Sequence, residues 1–129
     1  MDPETVSQRL LMQMEEYEFL PTQNKLCFPI LQRLYLKMLI GVQFPPILIK
    51  GNQIINGHHR FIASQLAGIK LDSIPWEASK GTSIFRWDEI TIDQIDWDTT
   101  EAIRAYHLED SKSYNLSGIL FDYFPSNNP

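Results

Sequence analysis

The residues of this chain most able to do chemistry together are Gly57-His58-His59-Arg60. They follow the extended stretch Gln53-Ile54-Ile55-Asn56 and open a segment in which Phe61, Ile62 and Leu66 share one helical face up to Gly68. A strand, a glycine and a helix start aim unpaired backbone N–H groups and the positive end of the helix dipole at one spot, which is where an anion binds. Gly57 permits close backbone approach. Arg60 carries a planar fork that matches two phosphate oxygens and stays charged at any working pH. His58 and His59 add donors whose protonation a bound phosphate would favour, and either could serve as acid or base in a phosphoryl reaction. Three basic residues in a first helical turn oppose the helix dipole, and a ligand would explain them. The same spacing also suits solvated residues at an ordinary turn.

Other constellations are weaker. Asp93, Asp96, Asp98 and Glu101 lack the alternation and the sixth-position glycine of a calcium loop, and read as a capped helix start. A site built from His58, His59 and His107 would need the C-terminal helix to fold back over the motif, and adjacent histidines usually point apart. No metal ligands are therefore assigned. Trp76, Trp87 and Trp97 could stack on a base, but their alternating placement reads as core. Met12 and Met14 give the first helix only a faint resemblance to a partner-binding surface.

The elements that must position the motif are legible in local signals. Asp2-Pro3 caps a first helix carrying Val6, Leu10, Leu11, Met14 and Tyr17, over about 3–19. A wide apolar stripe of Ile30, Leu31, Leu34, Tyr35, Met38 and Leu39 makes a second helix from near Pro29 to Gly41, with Gln32, Arg33 and Lys37 as its polar face. Pro45-Pro46 stops helical structure, and Ile47-Leu48-Ile49 with Gly51-Asn52 reads as a strand entering a tight hairpin over 46–50 and 53–56. The third helix spans about 58–67. Ile74, Trp76 and Ala78 alternate as a half-buried strand that Pro75 places near a sheet edge. Phe85 to Trp97 reads as a strand followed by one helical turn, and Asp98-Thr99-Thr100 caps a last helix carrying Ile103, Tyr106 and Leu108.

The chain has 129 residues, 43% of them apolar, enough for one domain with a core of its own. The expected organisation is a single α/β (α+β) domain over 1–124, with an acidic extension at 81–124 and a frayed tail at 125–129. One cysteine, Cys27, cannot close an intrachain disulfide. With neither a signal-peptide pattern nor a membrane-spanning run, a cytoplasmic protein with no membrane partner is expected. Residues 25–86 hold eight bases and two acids, while residues 87–129 hold two bases and nine acids. A net charge of −5 disfavours DNA or RNA as a partner. The acidic last third suits a basic protein partner, unless its charges merely keep a face solvated.

Pro45-Pro46-Ile47-Leu48-Ile49, a short turn, Ile54-Ile55-Asn56-Gly57-His58-His59-Arg60, then Ala63-x-x-x-Ala67-Gly68 and Ile74-Pro75, stand in an order that resembles the core of the ParB/sulfiredoxin superfamily over about 29–79. The resemblance implies a small mixed sheet with helices packed around it. It also implies a nucleotide ligand (ATP, ADP or CTP), with Gly57, His59 and Arg60 holding phosphates. Mg²⁺ is the expected counter-ion. His58 stands where sulfiredoxin-like members have a reactive cysteine and ParB-type members a glutamate, while His59 replaces an arginine of the latter. Neither cysteine-based repair nor a CTP clamp is therefore expected. The first expectation is a nucleotide hydrolase or phosphotransferase in which Arg60 and the third helix bind phosphates and His58 or His59 assists proton transfer. The alternative is a non-catalytic interaction protein of the same fold, of the antitoxin or immunity type. A nuclease is less favoured because of the acidic flanks.

Overall fold

The computed structural model describes residues 1–78 and 81–114. The expected frayed tail at 125–129 and the end of the acidic extension lie outside the described residues. Asp2 starts the first helix, α1 (Pro3–Gln13), by accepting the Thr5 N–H at 2.8 Å, as its position before Pro3 predicts. The helix is shorter than the expected 3–19. One 3₁₀ turn, Met14–Glu16, ends it, and Tyr17 is extended. The early end has a tertiary cause: Leu20 exchanges backbone bonds with Asn52 and Ile54 (2.7 and 2.9 Å), so the chain runs straight along the hairpin edge. Tyr17 and Phe19 are thereby delivered to the core, packed edge-on against Phe61 with ring centroids 5.7 and 5.8 Å away.

Strand β1 (Lys25–Cys27) leads directly into α2 (Phe28–Leu39). The expected hairpin is present as β2 (Ile47–Lys50) and β3 (Gln53–Asn56), antiparallel about the two-residue turn Gly51-Asn52. Helix α3 (His58–Ala67) starts at once after Gly57, and β4 (Ser73–Pro75) returns parallel to β2, giving a three-stranded sheet in the order β3-β2-β4. After a 3₁₀ turn at Trp87–Glu89, β5 (Thr91–Asp93) pairs parallel with β1, and α4 (Thr100–Tyr114) completes the described chain. The protein is thus one small mixed α/β domain with two small sheets. Where the sequence suggests a strand and then a turn, the order is reversed, because Trp87 turns inward and donates its indole N–H to the Phe19 carbonyl at 2.8 Å.

Val6, Leu10, Leu26, Leu31, Ile47, Ile54, Phe61, Ile62 and Trp87 form the buried core. Of the three tryptophans only Trp87 belongs to it; Trp76 and Trp97 are 58% and 44% exposed. Strand β4, at the edge of the sheet as Pro75 predicts, is exposed throughout rather than half-buried: unlike Ile54 on the opposite edge strand, its residues find no layer to pack on. In α4 the buried stripe is Ile103, His107 and Ser111, four residues apart, whereas Tyr106 and Leu108 face outward.

The polar face of α2 departs furthest from expectation. Arg33 and Lys37 are buried. Arg33 forms a two-pronged ion pair with Asp96, whose Oδ1 lies 2.9 Å from Nη2, and the same Nη2 reaches Asp98 at 3.1 Å. Lys37 Nζ donates to Asp110 at 2.7 Å. The acidic last third is therefore drawn onto the basic middle of its own chain. Removing Asp96 takes away the two-pronged pair and leaves the buried Arg33 only its single contact with Asp98. Asp96→Ala should lower unfolding free energy by about 2–4 kcal/mol in urea titration, whereas substitution of the exposed Glu101 should change it little.

Candidate anion site

Gly57 makes the turn from β3 into α3. Its φ is +101°, in the left-handed region, and a Cβ there would meet Arg60 Nη2 at 2.7 Å and Ile47 Cγ2 at 2.8 Å. A glycine is needed on both counts. As the N-cap residue it has no side chain with which to accept a hydrogen bond, so the first amides of α3 have no side-chain cap. These amides border a cavity of about 560 Å³ walled by α2, the Phe44-Pro45 segment, the end of β3 and α4. Gly57, His58, His59 and Arg60 all line it, together with Arg33, Lys37, Asp98 and Asp110. The four residues singled out in the sequence are thus brought to one place.

Each of the four has a definite position. His58 is buried, and its Nε2 accepts the Thr22 N–H at 2.9 Å. Thr22 Oγ1 also lies 3.3 Å from that nitrogen, but its proton goes to the Ile54 carbonyl at 2.6 Å. His59 Nε2 accepts the Cys27 N–H at 2.8 Å, and its ring meets Trp97 edge-on at 5.3 Å. With Nε2 accepting, each ring carries its proton on Nδ1. Burial holds both histidines well below their usual 6.5, at about 4, with a smaller contribution to His58 from its neighbour. The rings are neutral at pH 7 in the ligand-free protein. The physical reason is desolvation together with hydrogen bonds that only the neutral ring can accept.

Arg60 differs from the other cations around the cavity. It arches back over Gly57, and Nη2 donates to the Pro46 carbonyl at 3.0 Å. Its Nε is buried without a hydrogen-bond partner, and no carboxylate among the described residues pairs with it. Arg33 and Lys37, by contrast, are held by Asp96, Asp98 and Asp110. In the sequence these two read only as the polar face of a helix. The opposite charges of the middle and the last third are the one available signal for a role at the cavity.

Cys27 is distant from the motif in sequence but adjoins it in space through the His59 bond. Its thiol is buried, donates to the Ile95 carbonyl at 3.4 Å, and is shifted upward chiefly by burial, which keeps it protonated and unreactive. Among the described residues no three His, Cys, Asp or Glu side chains gather as a metal cage. Asp98 and Asp110 at the cavity are already engaged by cations, which leaves Glu109 on its wall, and a single carboxylate does not fit a protein-held Mg²⁺. No described helix is long and apolar enough to cross a membrane.

The histidines make stability depend on pH in a defined direction. In the unfolded chain they titrate near 6.5 and in the folded protein near 4, so acidification protonates the unfolded state first. The stabilisation is complete above about pH 6.5 and is lost as pH falls towards 4. Each such ring contributes a slope approaching about 1.4 kcal/mol per pH unit within that window. His107, also lowered to about 4, adds to the same fall. His59→Gln retains an acceptor but no titration, and should give a shallower loss between pH 6.5 and 4.5 in urea unfolding. A second expectation concerns the turn. Gly57→Ala should destabilise by about 1–3 kcal/mol through left-handed strain and displacement of Arg60, measured as a lowered Tm.

Comparisons with family models, with curated proteins and with solved structures found no match to this chain.

Proposed function

We propose that this protein is a ParB/sulfiredoxin-like domain that binds the phosphate of a nucleotide at the start of α3, with ATP, ADP and CTP as the candidate ligands. One observation carries the reading. Arg60, a cation with a buried, unpartnered Nε and no carboxylate partner among the described residues, sits beside helix amides without a side-chain cap on the wall of one cavity. A phosphate there would accept from the first amides of α3 and from the guanidinium, meeting donors that are otherwise unmet. Support for the fold relationship is the succession of hairpin, Gly57 turn, helix and parallel return strand. The surrounding apolar wall, including Ile30, Leu34 and Phe44, gives the nucleoside a surface.

Within this reading the histidines orient the site. Their Nε2 atoms tie α3 to Thr22 and Cys27, and their neutral Nδ1–H groups are donors without positive charge. Turnover by a His58 or His59 acid–base pair is the narrower form of the proposal. The two occupied Nε2 atoms favour the second form, a nucleotide-binding interaction protein without turnover. Any Mg²⁺ bound with the nucleotide would supply charge neutralisation of its phosphates, and the acidic surface left outside the Arg33 and Lys37 pairs remains the candidate face for a basic partner.

Thermal-shift measurements with ATP, ADP, CTP and GTP should show stabilisation by at least one nucleotide, since occupancy stabilises by mass action. In calorimetric titration Arg60→Gln should weaken that binding about ten- to a hundredfold through loss of a charge-assisted contact. Equal affinity would place the site elsewhere, and binding of no nucleotide would defeat the proposal. Phosphate release by wild type that disappears in His58→Gln, with binding retained, would select the enzymatic form. No release selects the binding form.

A further inference from the structure

The cavity contains the chain's own anions. Asp98, Glu109 and Asp110 border it, and Asp98 and Asp110 each hold a cation that borders it too: Arg33 Nη2 at 3.1 Å and Lys37 Nζ at 2.7 Å. Both cations are more than nine-tenths buried, and both carboxylates belong to the segment that begins after β5 and continues into α4. Asp96 stands apart from this arrangement. It anchors Arg33 through a two-pronged pair but is not part of the cavity wall, so Arg33 stays positioned when Asp98 leaves.

We infer that the segment carrying Asp98 and Asp110 is a built-in competitor for the phosphate cavity, its carboxylates standing where a second phosphate would be neutralised. This rests on the phosphate-binding reading of the α3 start. A ligand with one phosphate meets Arg60 and the α3 amides and leaves α4 in place. A ligand with two adjacent phosphates reaches Arg33 and Lys37 only by displacing Asp98 and Asp110, so it loosens α4 as it binds. Like charges brought together in a partly desolvated cavity repel strongly, so ligand and carboxylates exclude one another there. Affinity for diphosphate ligands and docking of α4 are then negatively coupled, and each weakens the other by the same factor.

Inorganic phosphate and inorganic pyrophosphate, without Mg²⁺, are suitable probes because neither depends on the base. The double variant Asp98→Asn, Asp110→Asn should bind pyrophosphate about ten times more tightly than wild type, with phosphate affinity within about twofold. Pyrophosphate affinity that is unchanged or lower in the folded double variant would overturn the inference. Wild-type hydrogen exchange provides a test that does not depend on the variant's folding. Saturating pyrophosphate should slow exchange at amides 58–60 and accelerate it across 100–111. Slowing at 58–60 with no acceleration in α4 would overturn the competitor while leaving the phosphate site standing. Binding of neither anion by wild type or by the double variant would overturn both. Binding by the double variant alone would support the competitor directly.

Discussion

Two imidazole–amide hydrogen bonds hold the site in register with the rest of the fold. His58 and His59 stand at the first two positions of α3, and their Nε2 atoms accept from Thr22 and Cys27, residues 36 and 32 positions earlier in the chain. Thr22 precedes β1 and Cys27 ends it, so the two rings fasten the α3 start to the strand that pairs with β5. The bonds require neutral rings, and burial enforces neutrality. They also remove two positive charges from a helix start whose dipole would oppose them. The basic cluster in the sequence is, in the folded protein at pH 7, two neutral acceptors followed by one real cation.

That cation is set apart by the charge pattern around it. Arg33 and Lys37 are countered by carboxylates contributed from more than sixty residues further along the chain. Their burial is tolerable because the pairs form with good geometry and because Asp96 engages both guanidinium nitrogens at once. Arg60 donates to a backbone carbonyl instead, that of Pro46. The net charge of −5 therefore says little about the cavity: Arg33 and Lys37 are countered individually, and what is left to act on an anion is the attraction of Arg60 and the α3 terminus against the repulsion of Glu109 on the same wall.

The parts of the fold legible in the sequence are those that depend on short-range signals. The hairpin about Gly51-Asn52 and the helix from His58 to Ala67 arise from a β-branched run, a turn pair, a glycine at each helix end and a helical apolar face. The gathering of Gly57, His58, His59 and Arg60 arises from the same local geometry. The illegible parts depend on partners distant in sequence. Lys37 looks like a solvated helix residue until Asp110 is placed beside it. Trp87 and Trp97 occupy similar-looking contexts, yet only the former meets a carbonyl deep in the core. In α4, His107 takes the buried position that apolarity alone would assign to Leu108, because the helix rotates to bury the face bearing Ile103 and Ser111.

The compromises of the fold meet at the turn into α3. A left-handed backbone, a helix start without a side-chain cap, a guanidinium at the unfavourable end of a dipole and a buried Nε without a partner all occur within four residues. Native structures generally satisfy their buried polar groups, so an unmet Arg60 Nε beside a helix start without a side-chain cap asks for a compensating acceptor. Tyr17 Oη is also buried without a partner, but it stands within the aromatic cluster, whereas Arg60 borders a cavity. An anion in that cavity would meet the amides and the guanidinium together. The rings of His58 and His59, held by Thr22 and Cys27, fix the start of α3 and with it the position of those amides, so that such binding would require little ordering of the helix start.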